Sequence, residues 1–207
     1  MSKLLNVSSS PHVRCGVSTK NLMYDVAIAM LPATIWGVMQ FGIYSLIVVV
    51  ATVLSCVLSE YLFETLMHKP ITISDGSALV TGMILGLNMP PAIPLWMPIL
   101  GGVFAIIVVK QLYGGLGQNW MNPALAARCF MLISFAQAMT KFTDPVTDAV
   151  ASATPLAAIK AGDTYDLAAM FIGKIPGTIG EVSVIALLIG AAYLLVKKVI
   201  TIRIPAA

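Results

Sequence analysis

The chain has 207 residues, 58% of them hydrophobic and only 10% charged, with a mean hydropathy of +0.92. A soluble domain carries roughly 25% charged residues, so this composition excludes a water-soluble fold for most of the chain and indicates an integral membrane protein. The net charge of +3 is small, and no basic stripe interleaved with aromatics is present, which sets nucleic acid aside as a partner and leaves the lipid bilayer.

Residues 1–20 are polar and precede the first apolar run, so they do not form a cleavable signal peptide. A membrane span needs about 20 apolar residues, because the hydrocarbon core is about 30 Å thick. Six spans are predicted, at about 22–41, 44–67, 76–88, 95–109, 123–139 and 181–196. Pro32 is expected to kink the first. The third opens at Ser74-Asp75-Gly76-Ser77, where Asp75 can accept from free backbone N–H groups, and it stops at Pro90-Pro91, too short to cross unaided. Gly82 and Gly86 on it fit a small-residue packing face. The fifth follows a glycine run, Gly114-Gly115-Leu116-Gly117, and opens with Asn122 suited to the N-cap and Pro123 to the first turn. Short or Gly/Pro-interrupted apolar segments point to broken helices that line a site, although ordinary loops outside the bilayer would read the same way.

Lysine and arginine placement sets the orientation. With the N-terminus cytoplasmic, Lys3, Arg14, Lys20, Lys69, Lys110, Lys197, Lys198 and Arg203 fall inside, and Lys141, Lys160 and Lys174 fall outside. The resulting organisation is a cytoplasmic segment (1–21), a first helix bundle (22–140), an extracytoplasmic loop (141–180), and a last helix with a cytoplasmic end (181–207). The abrupt finish at Arg203-Ile204-Pro205-Ala206-Ala207 suggests the first part of a longer chain.

The catalytic inventory is thin. His12 and His68 lie far apart, and Cys15, Cys56 and Cys129 show no metal-ligand spacing. No nucleophile triad or phosphate-binding loop is visible. Charges inside apolar runs are functional candidates. Glu60 and Glu64 share a helix face at i, i+4, Asp25 begins the first helix, and Arg128 lies in the fifth. These residues read either as snorkelling or interhelical pairing, or, for Glu60, Glu64 and Asp25, as a cation path of hard oxygen ligands. In the outer loop, Ser152-Ala153-Thr154-Pro155-Leu156 reads on composition as a loop or a helix start.

Four segments resemble a known family: Ser10-Pro11-His12, Asp75-Gly76-Ser77-Ala78-Leu79-Val80-Thr81-Gly82, Leu85-Gly86-Leu87-Asn88-Met89-Pro90-Pro91, and 114–124 around Asn119-Trp120-Met121-Asn122-Pro123. They look like the D-type membrane component of the Rnf complex, related to the B-type component of the sodium-pumping NADH:quinone oxidoreductase. The resemblance implies an all-α membrane protein with urea-channel-like inverted repeats, of which this chain holds the first part. It implies one membrane component of a six-protein translocase, beside partners of the A, B, C, E and G types, that couples ferredoxin:NAD electron transfer to sodium or proton movement. It also implies FMN joined through its phosphate to a threonine outside the membrane by a flavin transferase, and riboflavin as a second candidate flavin whose residues stay unassigned. Thr154 matches the modified threonine, flanked by Ser152, Ala153, Pro155 and Leu156. The sequence departs from the family motif in reading Ala151-Ser152 where Ser-Gly is usual. The charge count and the resemblance agree in placing this loop outside. A solute channel of the same fold without a redox role, and a purely structural membrane component, are the alternatives.

Overall fold

The computed structural model describes residues 18–143, 150–151, 160 and 167–202. Helix α1 (Thr19–Phe41) starts at Ser18, whose hydroxyl accepts from the Asn21 N–H at 3.3 Å, and runs unbroken through Pro32. Gly42 alone separates it from α2 (Ile43–Leu66), with φ 81° that a residue bearing a Cβ rarely adopts. These two helices, 23 and 24 residues long, are long and apolar enough to cross a membrane.

The remaining helices are short and apolar. A single 3-10 turn (Ile73–Asp75) leads through Gly76 into α3 (Ser77–Leu87). Its 11 residues reach about 17 Å, roughly half a hydrocarbon core. Gly76 holds the N-cap position of α3 in the left-handed region, and from one residue before it the Asp75 carboxylate accepts from the Ser77 N–H at 2.8 Å, the backbone contact read from the sequence. Helix α4 (Trp96–Val103) passes without a cap into a π-helical segment (Phe104–Gln111), two residues beyond the predicted end. Helix α5 (Pro123–Ser134) has the expected cap: Asn122 Oδ1 accepts from Ala124 N at 3.0 Å and Leu125 N at 3.3 Å. The continuous run predicted to 139 breaks at Phe135 (φ −133°, ψ 47°), and a one-turn helix, α6 (Ala136–Met139), follows. Next come a two-residue antiparallel pair, β1 (Phe142–Thr143) with β2 (Val150–Ala151), then α7 (Leu167–Ile172) and α8 (Val184–Val196). Helix α8 starts three residues later than predicted, because Ser183 caps it by accepting from Ala186 N at 3.3 Å.

The core is the seam between α2 and α3, closed around Val48, Val49, Leu85, Met97, Ala127 and Met131. Gly82 and Gly86 let the two backbones approach: a Cβ at Gly82 would stand 2.6 Å from Val53 Cα, and one at Gly86 3.0 Å from Val49 Cα. The small-residue face read from the sequence is therefore the packing face. The stretch before α8 tucks into the bundle, where Ile179 N donates to Met89 O (3.1 Å) and Gly180 N to Leu87 O (2.8 Å). The Leu87 carbonyl at the end of α3 and the Met89 carbonyl just beyond it would otherwise lack these partners.

The helices alternate in direction. One end of the bundle gathers the start of α1, the end of α2, the start of α3, the end of the π segment and the end of α8, held by Lys110–Glu60, Lys110–Ser77 and Tyr193–Asp25 contacts. The other end is tied by Tyr44 OH to Ile93 O (2.9 Å) and by Arg128 to Asn88. Among the described residues the regular elements are helices apart from the β1–β2 pair, consistent with an all-α membrane protein.

Candidate functional site

Glu60 and Glu64 come from the last turns of α2, one helical turn apart, so both carboxylates face the same neighbour. That neighbour is the end of the π segment. A π-helix closes i→i+5 bonds and recurs at functional sites; here Leu112 N donates to Ile107 O at 3.1 Å. The wider turn leaves consecutive residues Lys110 and Gln111 both buried on the α2 side.

Lys110 Nζ lies 2.5 Å from Glu60 Oε1 and 2.5 Å from Ser77 Oγ. Gln111 Nε2 donates to Glu60 Oε1 (2.9 Å) and Glu64 Oε1 (3.2 Å). From the loop after α2, Thr72 N donates to Glu64 Oε2 (2.9 Å), and the Thr72 hydroxyl donates to Glu64 Oε1. The Ser77 hydroxyl donates to Asp75 Oδ1 at 2.6 Å. Lys69 Nζ closes the rim on the Gln111 carbonyl at 3.4 Å. Glu60 is fully buried, and Lys110 and Glu64 are each 2% exposed. A buried pair of this kind holds only with close geometry and with its remaining lone pairs satisfied. One group fails that condition: Glu60 Oε2 is buried with no hydrogen-bond partner among the described residues.

Beside this cluster is a cavity of about 480 Å³ between α1, α3, the π segment and the loop before α5, lined by Ser77, Thr81, Lys110, Asn119, Trp120 and Asn122 among others. The first turns of α3 and α5 open onto it, so the positive ends of two helix dipoles face one space, with the first N–H groups of α5 already capped by Asn122. Asn119 is fixed by donating to Met121 O at 2.8 Å. The volume falls in the range of small-molecule sites. Its walls carry an aromatic ring (Trp120), two amides (Asn119, Asn122), two hydroxyls (Ser77, Thr81) and an ammonium (Lys110). Lys110 belongs to both the cavity wall and the carboxylate cluster, whereas Glu60 and Glu64 do not line the cavity.

The sequence-derived candidates divide. Glu60 and Glu64 come together in the cluster. Asp25 does not join them; it accepts from Tyr193 OH at 2.9 Å and sits 3.8 Å from Lys197, tying α1 to α8. Arg128 is at the opposite end, bonded to Asn88 and 3.1 Å from Glu181. Thr154, Ser152, Ala153, Pro155 and Leu156 lie outside the described residues; the nearest described element is β2. The charge count treats Lys110 only as a cytoplasmic-side residue, but it is buried in an ion pair. The signal that could have found it is a Lys-Gln pair closing an unbroken apolar run at 104–109, in a chain whose buried carboxylates need a cation. Among the described residues no group of three or more His, Cys, Asp or Glu side chains could hold a metal ion.

The sequence model of the NQR2, RnfD, RnfE family matches residues 6–207. The chain is 48% identical over 207 residues to the D component of the Na(+)-translocating ferredoxin:NAD(+) oxidoreductase complex of Acetobacterium woodii, covering 97% of this chain and 65% of that protein. It is 41% identical over 216 residues to the D component of the proton-translocating ferredoxin:NAD(+) oxidoreductase complex of Clostridium ljungdahlii, covering 98% and 65%. To the D component of the ion-translocating oxidoreductase complex of Rhodobacter capsulatus it is 32% identical over 234 residues, covering 96% and 65%. The chain thus spans 65% of the length of each of these relatives.

Proposed function

This chain belongs to the NQR2, RnfD, RnfE family, and from that premise we propose that it is part of a membrane component of a redox-driven ion pump, in which electron transfer between ferredoxin and NAD moves sodium ions or protons across the membrane. The observation that carries this reading is the buried Glu60–Lys110–Glu64 cluster sharing one residue with a ligand-sized cavity. A carboxylate site supplies hard oxygen ligands to a cation, and the adjoining cavity gives a redox group a place beside it. The names of the relatives support the pump and a multi-protein complex; A, B, C, E and G type partners are the corresponding proposal.

Thr154 is proposed to carry FMN as a phosphoester made by a flavin transferase, with Ser152, Ala153, Pro155 and Leu156 as the segment that enzyme reads. The cavity is proposed to hold the second flavin, riboflavin. Its residues fit: the side-chain amides of Asn119 and Asn122 offer hydrogen bonds, Trp120 an aromatic face, and Lys110 a cation near the ring. When bound, a flavin supplies one- and two-electron transfer. The chain's contribution is to orient the ring, to exclude water from it and to keep a buried ammonium and two carboxylates nearby. The proposed setting is the cytoplasmic membrane, crossed about six times, with a cytoplasmic N-terminus, the Thr154 loop outside and a urea-channel-like repeat architecture.

The test is in-gel flavin fluorescence of the denatured protein, expressed with a flavin transferase, for wild type and Thr154→Ala. Fluorescence in the wild type that disappears in Thr154→Ala, with assembly intact and electron flow lost, is the expected result. Dark wild-type protein beside a fluorescent control substrate would remove the redox role and favour a solute channel, which needs no flavin.

A further inference from the structure

Among the described residues, Lys110 is the cationic residue that faces both halves of the site. Its ammonium bridges Glu60 Oε1 and Ser77 Oγ at equal distance, 2.5 Å each. Ser77 opens onto the cavity, and Glu60 does not. A lysine ammonium sits on a flexible four-carbon stem and makes point-charge contacts, so exchanging one neighbour for another needs no backbone movement.

The surrounding charges set the consequence. Glu60, Glu64 and Asp75 face the cluster as acids, and Lys110 and Lys69 as bases. Glu64 is already satisfied by neutral donors from Thr72 and Gln111. Glu60 is held through Oε1 alone, closely by Lys110 and Gln111 and distantly by Thr72, and its Oε2 is a buried orphan. With Lys110 in place, the trio of Glu60, Glu64 and Lys110 carries one net negative charge. If Lys110 turns away, two buried carboxylates are left with at least one free oxygen, an arrangement that a monovalent cation relieves. The Thr72 hydroxyl lies within reach of both carboxylates, 3.5 Å from Glu60 Oε1, as a further oxygen ligand.

We infer that Lys110 is a switch cation: negative charge arriving in the cavity draws its ammonium from Glu60 towards the Ser77 side, and a monovalent cation, sodium ion or proton, takes its place at Glu60 and Glu64. The inference rests on the flavin reading of the cavity, since an electron is what brings the charge. The balance is one electron to the flavin and one cation to the carboxylates, with no covalent bond made or broken and net charge unchanged. By linkage, the cation then binds more tightly when the cavity is reduced, and the cavity is reduced more easily when the cation is present.

The experiment is a dithionite titration of the noncovalent flavin in the purified full-length complex, followed by absorbance. One series varies sodium at fixed pH, and another varies pH without sodium. In the wild type the midpoint potential rises with sodium by about 59 mV per tenfold change for one cation per electron, or, if the proton is the cation, rises with falling pH beyond the slope that protonation of the flavin ring itself gives. In Lys110→Met, read on the complex that assembles with flavin, the sodium slope falls towards zero and the pH slope falls to that of the flavin ring alone. Ser77→Ala, which leaves the Lys110–Glu60 pair in place, lowers the slope and carries the test if Lys110→Met does not assemble. A wild-type slope in either variant, or a flat wild type with flavin present, overturns the switch and leaves the flavin reading standing. A complex with no extractable noncovalent flavin overturns the flavin reading of the cavity, and the switch with it.

Discussion

Gly82 and Val53 meet backbone to backbone, so that a Cβ on Gly82 would stand 2.6 Å from Val53 Cα. The contact sits on the α2–α3 seam that places Glu60 opposite Ser77. Gly82→Ala is expected to push the helices apart at an overpacking cost of about 1–3 kcal/mol. Gly86→Ala, where the nearest atom is Val49 Cα at 3.0 Å, is expected to cost less. Thermal unfolding of the detergent-solubilised complex measures both, and an unchanged Gly82→Ala would mean that the seam is not closed as described.

The Glu60–Lys110 pair is expected to show strong non-additivity. Removing either partner leaves a buried uncompensated charge, at about 3–5 kcal/mol. Glu60→Gln and Lys110→Met should therefore each lower the yield of folded complex, and the double variant should recover most of it. Size-exclusion profiles of the three variants check this, and a double variant as poor as the sum of the singles would show that the two residues do not act as a pair.

Asn122 has two assignments that one substitution series separates. Asn122→Ala loses the cap of α5, at about 0.5–2 kcal/mol. Asn122→Ser keeps a capping oxygen but shortens the side chain at the cavity wall, so it should unfold at the wild-type temperature and lose noncovalent flavin. Flavin content by extraction and HPLC decides the matter; full flavin in the serine variant takes Asn122 out of the ligand set.

The orientation proposed from lysine and arginine placement is open to thiol labelling. In a background without the native cysteines, Lys69→Cys should react with an impermeant maleimide only in inside-out vesicles, and Lys174→Cys only in right-side-out ones. The reverse pattern would invert the whole assignment, including the side on which Thr154 sits.

Helix positions were legible in the sequence because apolar runs and caps are local: Asn122-Pro123 and the glycine run before it announced the start of α5, and Gly82 and Gly86 announced the seam. What the sequence hid was non-local. Glu60 and Lys110 are 50 positions apart, and nothing in either neighbourhood names the other. The π register of Phe104–Gln111 was equally silent, since a run of aliphatic residues fits α- and π-helical turns alike. The break at Phe135 carried no glycine or proline to announce it. The bonds from Ile179 and Gly180 to the Met89 and Leu87 carbonyls could not be read either, because they depend on a segment about 90 residues downstream folding back.

The single-residue joint at Gly42 bears on how the chain reaches its membrane. Among the described residues, helices α1 and α2 are the two long and apolar enough to cross a membrane, and with no polar loop between them they are expected to insert as one hairpin. Helix α3 is too short to hold a span and takes its place by packing its glycines on α2. Biogenesis therefore has an order: a charged residue placed in the α1–α2 hairpin should block insertion of the helices that follow it, while the same change in α3 should leave the hairpin seated and only the later assembly undone.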